Sequence, residues 1–160
     1  MPVMVTNYRD LFASVARRPR MYLLRDDFPT TVAYIEGCDQ GNAHRLLSGF
    51  REWLLTQVGC GDNHVWWSLV LRLAVTTGQA PDDLSPDNDA KAKETLFRLL
   101  DEFLELIDER DGLSRIYAAY DAWRAARTEH GCQATDEPSC PRVDWPRAAS
   151  YTDAEIPAGT

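Results

Sequence analysis

An all-α fold, a compact bundle of about six helices followed by an irregular tail, is what the sequence predicts, and three observations carry it. Apolar residues recur at helical spacing through most of the first 130 positions. Capping residues such as Asn7 and Ser85 stand just ahead of these stretches. Glycine and proline mark most of their ends. The 160 residues fit one domain, with a helical body over 1–130 and an extended tail over 131–160.

The first helix is predicted from about Tyr8 to Arg18. Asn7 caps it, Asp10 stands three residues later as in a capping box, and Tyr8, Leu11, Phe12 and Val15 share one face. Pro19 stops it, because the residue before proline avoids the α region. The second helix is expected after Pro29, capped by Thr30 or Thr31, and to end near Gly41. The third is placed at about Ala43–Val58, where Leu46, Leu47, Phe50, Trp53, Leu54 and Val58 form an apolar stripe ended by Gly59 and Gly61.

The fourth follows Asp62 and Asn63. From Val65 to Val75 it is apolar almost all round, which suits a buried central helix. Valine and tryptophan also favour strands, so a strand is the competing reading there. Ser85-Pro86-Asp87 supplies a cap, a first-turn proline and an acid at the positive end of the dipole, opening a fifth helix to about Arg110. The sixth spans about Leu113 to Thr128, with Gly112 before it and Gly131 behind. Pro138, Pro141, Pro146 and Pro157 then break any regular element in the tail.

The composition limits the function. The net charge is −8, which disfavours phosphate backbones and anionic membrane surfaces as partners. The charge is also uneven. Residues 82–111 hold eleven acids and four bases, whereas Arg9, Arg17, Arg18, Arg20 and Arg25 face only Asp10 among the first 25 residues. No apolar run approaches the roughly 18 residues of a membrane span. The first residues lack the apolar core of a signal peptide, so a cytoplasmic protein with reduced cysteines is expected.

The metal-ligand residues that stand close together, Cys60 with His64 and His130 with Cys132, lack the paired spacing of a zinc site. Loop residues around one buried thiol explain them better than zinc or a cysteine nucleophile does. No phosphate-binding glycine loop, nucleophile elbow or HExxH occurs, so no cofactor and no metal are expected. Trp53, Trp66, Trp67 and Trp123 fall on core stripes. Neighbouring Trp66 and Trp67 cannot share a face, so one of them is expected at a surface or groove.

Arg18-Pro19-Arg20-Met21-Tyr22-Leu23, then Gly37 to Asp39, Phe50 to Trp53, Trp66 or Trp67, and Leu99 to Phe103 occur in this order. Together they resemble a family of small uncharacterised bacterial proteins with an R-P-G-M-Y-L-G, F-x-x-W and L-L-D-E-F pattern. Arg20 and Leu24 stand where that pattern has glycine. The resemblance implies no established activity, though some members look like small acidic immunity proteins. The hexapeptide is also similar to a stretch of gyrase-type ATPases, but the asparagine-bearing helix and the D-x-G-x-G loop of that family are missing.

Two functions follow as expectations. The first is a protein-binding module, of immunity or regulatory type, that meets another protein, a basic one being the candidate, through Asp101, Glu102, Glu105, Asp108 and Glu109 on the fifth helix. Acids that merely keep the helix soluble explain the same pattern as well. The second is a small enzyme or ligand-binding protein of specialised metabolism, with Trp66, Trp67, Arg18 and Tyr22 around an aromatic pocket. In the Arg18–Leu23 stretch, Met21 and Leu23 are expected to plug the core and Arg18 to bond helix-end carbonyls.

Overall fold

Asn7 sets the start of the first helix: its Oδ1 accepts from the N–H groups of Arg9 and Asp10 at 3.1 and 3.4 Å. In a computed structural model describing residues 7–59, 63–75 and 84–129, that helix, α1, is Tyr8–Arg17. Arg18 leaves the helix at φ −140°, ψ 60°, as the proline behind it demands. Pro19–Met21 then form a single 3₁₀ turn, closed by Met21 N–H on Arg18 O and Tyr22 N–H on Pro19 O.

The second helix, α2, is Phe28–Gly41, and starts three or four residues earlier than the threonine caps imply. Asp27 is the cap, accepting from Thr30 N–H at 2.8 Å. Pro29 lies inside the first turn, where no backbone N–H is needed. The Phe28 N–H, left over at this helix start, donates to Asp89 Oδ1 at 2.7 Å.

The third helix, α3, is only Phe50–Val58 and does not begin at Ala43. Ala43 and His44 both take left-handed backbone angles (φ 54° and 57°), so no helix can run through them. The buried Asp39 carboxylate holds this segment: Oδ1 accepts Leu47 N–H at 2.9 Å and Oδ2 lies 3.1 Å from His44 Nδ1. Gly49 (φ 85°) and Gly59 (φ 79°) bracket α3. The left-handed angle of Gly49 is what calls for glycine there; a Cβ would also stand 2.8 Å from Leu113 Cδ1, which would have to move aside.

The stretch with the strand alternative is helical: α4 is Trp66–Ala74. Ser85 opens α5, Pro86–Asp108, by accepting Asn88 N–H at 3.4 Å. Asp111 (φ 64°) reverses the chain, and Gly112 is the first residue of α6, Gly112–Glu129, not a stop between helices. A Cβ on Gly112 would sit 1.9 Å from Leu106 O, so the turn closes only around a bare Cα.

Six α-helices and no strand are therefore present among the described residues. The expected tail, 131–160, lies outside them. Helix α5 is the hub, packing on α1, α2, α4 and α6, while α3 packs on α4 and α6. Phe50 forms the centre, with ring centroids 4.9 Å from Phe103, 5.6 Å from Trp66 and 6.1 Å from Trp53. Burying a side chain of this size stabilises the fold by about 1.5–3 kcal/mol, with some tenths more from the ring contacts. No helix among the described residues is long and apolar enough to cross a membrane.

Candidate functional site

From Arg17, the last residue of α1, the chain runs through the 3₁₀ turn and on to Arg25 before α2 begins. Only Leu23 of this stretch is buried (7% exposed). Met21 does not plug the core as expected: it is 70% exposed, because the turn rotates it to the outside. Leu24 is 93% exposed and Tyr22 40%. The Tyr22 ring is steadied by an edge contact with Tyr34, their centroids 6.4 Å apart. The result is an exposed turn that carries three large hydrophobic side chains within four residues, Met21, Tyr22 and Leu24, a local cluster of the kind that marks interaction surfaces.

Arginines surround it. Arg17 Nε donates to Ala13 O at 3.2 Å, a carbonyl within α1, and among the described residues the Arg18 guanidinium bonds none of the helix-end carbonyls expected of it. The guanidinium groups of Arg18 and Arg20 meet no acceptor among the described residues. Arg25 alone pairs with a carboxylate, Asp27, at 2.8 Å. Ser14, Arg17, Arg18, Met21 and Tyr22 together line a cavity of about 210 Å³.

The acids of α5 are exposed on its outer side, but most have a basic partner. Arg9 of α1 bonds Asp101 at 2.8 Å and approaches Glu105 at 3.7 Å. This bond raises the Arg9 pKa further, fixing its charge. Arg98 pairs with Glu102 at 2.9 Å and Arg115 with Glu109 at 2.6 Å. Asp108 forms no ion pair among the described residues. Asp101, Glu105 and Asp108 thus share a face as the spacing implies, with Arg9 laid across part of it.

The pocket residues of the second expectation are not gathered in one place. Trp66 is buried against Phe50 and donates its indole N–H to Glu36 of α2. Trp67, 37% exposed, is the surface member of the pair. Neither lines the cavity that holds Arg18 and Tyr22. Trp53 and Trp123 are core, as their spacing predicts.

A second, wider cavity of about 410 Å³ lies on the other side of the turn, among Ala16, Pro19, Asp26, Thr31, Lys93 and Phe97. Its one cation is already engaged: Lys93 Nζ donates to Asp26 Oδ1 at 2.7 Å and Asp26 O at 2.9 Å, and lies 3.5 Å from Asp89. Lys93 and Asp89 therefore serve to bind the Asp26–Phe28 corner to α5.

Cys60, His130 and Cys132 lie outside the described residues. His64 is described and stands 3.4 Å from Ser68 Oγ. No group of metal-ligating side chains occurs among the described residues. In Cys38, burial pushes the thiol pKa up, outweighing the opposing bond with Tyr34, so this thiol is poorly nucleophilic. Sequence reasoning missed Asp39 as the organiser of the 42–48 segment. Its bonds are to His44 and Leu47, five and eight residues on, in a segment that the apolar stripe of Leu46 and Leu47 assigned to a helix.

Compared with protein-family models, curated proteins and solved structures, the chain matches none of them.

Proposed function

We propose that this chain is a protein-binding module that docks an acidic segment of its partner on the protruding turn at residues 17–25. One observation carries the reading: Leu24 and Met21 stand in solvent beside Arg17, Arg18 and Arg20, which pair with no carboxylate among the described residues. An apolar anchor ringed by unneutralised charge suits a partner segment that is apolar at its centre and acidic at its rim. Arginine and aromatic side chains are also the types that dominate contact energies. The immunity-type or regulatory role belongs to the same reading.

The variant pairs Met21→Asp with Leu24→Asp, and Arg17→Glu with Arg18→Glu, test it. Neither pair touches a core contact: the first should leave stability within about 0.5 kcal/mol of wild type, and the second, which loses the Arg17 bond to Ala13 O and puts acids at the negative end of α1, should cost about 0.3–1 kcal/mol per site and leave the protein folded. A stoichiometric partner recovered from the source cells should be lost by both pairs, and its association with wild type should slow as salt is added. Retention of that partner by both pairs would exclude the turn.

The acidic face of α5 supports a second reading, because Asp101 and Glu105 share the single Arg9 and Asp108 is unpaired. Here the partner would be basic. Reversing Asp101, Glu105 and Asp108 to lysine would then abolish binding. It would also repel Arg9 and lose a surface bond between α1 and α5, at a cost of about 0.2–1 kcal/mol.

A further inference from the structure

The cavity beside the turn has a lining that names a ligand class. Its polar members, Ser14, Arg17, Arg18 and Tyr22, all donate hydrogen bonds, and no carboxylate is among them. The α1 C-terminus contributes about half a negative charge nearby, against two full guanidinium charges, so the site is net positive. The Arg17 bond to Ala13 O and the Tyr22 edge contact with Tyr34 hold two of the donors in place before any ligand arrives. About 210 Å³ equals about seven waters of liquid, below the roughly 300 Å³ where sites for whole small molecules begin. The space suits one charged group and the atoms that carry it.

We infer that this cavity binds a phosphoryl group carried on a side chain of the partner segment. A carboxylate has two oxygens and one charge, which a single arginine fork satisfies. Two arginines with two hydroxyls match the three oxygens and the roughly −1.5 to −2 charge of a phosphoryl group. The inference rests on the docking reading above and gives it a specificity determinant: the exposed Met21 side chain forms one wall, so anchor and anion site are continuous.

The experiment is a titration of the full chain at constant ionic strength, followed through the arginine Nε–Hε resonances. The probes are inorganic phosphate, acetate, and a short peptide bearing either phosphoserine or glutamate at its centre. Phosphate is expected to shift Arg17 and Arg18 saturably, and acetate not to. The phosphoserine peptide should bind at least tenfold more tightly than free phosphate or the glutamate peptide. Its affinity should rise as pH passes through about 6, where the second phosphoryl proton leaves. Arg18→Lys, which keeps the charge but loses the fork, should cost about tenfold, while Lys91→Ala on α5 changes nothing.

Equal binding of the glutamate peptide, or non-saturating shifts spread over Arg20 and Arg110, would overturn the inference. Free phosphate binding as tightly as the phosphoserine peptide would overturn the side-chain source. Failure of the docking reading looks different: phosphate would saturate the site normally, while no partner depended on Met21 or Leu24. A partner that needs Leu24 yet binds Arg18→Ala and wild type equally would sink the phosphoryl site and leave the docking surface standing.

Discussion

Asp39 carries more of the local structure than any other single polar side chain described. At 6% exposure it accepts the Leu47 N–H and faces His44, and its own carbonyl accepts His44 N–H at 2.8 Å. Asp39→Ala would leave the Leu47 N–H unpaired and the left-handed angles of Ala43 and His44 unsupported. A loss of about 1–3 kcal/mol in chemical denaturation is expected. Asp39→Asn, which keeps an acceptor for Leu47, should lose less, and equal losses would show that this bond is unimportant. Asp27 gives a pH signature. The hydroxyl and then the main-chain N–H of Thr30 hold its carboxyl below the ordinary 3.8, with Arg25 and Lys93 adding to the effect. A depressed folded pKa means the cap stabilises fully above the unfolded value and weakens as pH falls through the folded one. Asp27→Ala should therefore cost about 0.5–2 kcal/mol at pH 7 and progressively less below pH 4. A cost that is the same at pH 2.5 and pH 7 would contradict this.

At the scale of elements, what the sequence made legible was whatever local rules govern. The α5 start at Ser85-Pro86 is where cap and proline chemistry put it, and the stripe of Leu96, Leu100 and Phe103 faces the core. The α4 stretch resisted because Val and Trp suit either state. Its packing against α3 and α5 decides for helix, a tertiary effect that no window of sequence contains. The start of α3 was misplaced for a related reason. Leu46 and Leu47 continue the helical stripe of Phe50 and Trp53, yet Leu46 is buried from a turn, because Asp39 eight residues before Leu47 captures its N–H. Periodicity reports which side chains go inward, not which backbone carries them there. Met21 was misjudged in the same way: an apolar residue near Leu23 was expected inward, but Met21 ends the 3₁₀ turn in solvent and only Leu23, two residues on, is buried.

Across the whole molecule the charges read from the sequence are redistributed by folding. The acidic stretch is joined by Arg9 and Arg115 from outside it, while Arg98 pairs with Glu102 within it, so part of its charge is answered by other segments of the chain. Arg17, Arg18 and Arg20, cations in a chain of net −8, pair with no carboxylate among the described residues, whereas Arg25 of the same stretch pairs with Asp27. Which charges remain available was invisible in the sequence, since the Arg9–Asp101 bond joins residues 92 positions apart. The central claim, docking through the turn, is tested most directly by hydrogen–deuterium exchange of the protein alone and in its copurified complex. The account predicts slowed exchange concentrated on residues 17–25 and the C-terminal turn of α1, with residues 101–109 unchanged. Protection on 101–109 with residues 17–25 exchanging as freely as before would contradict it.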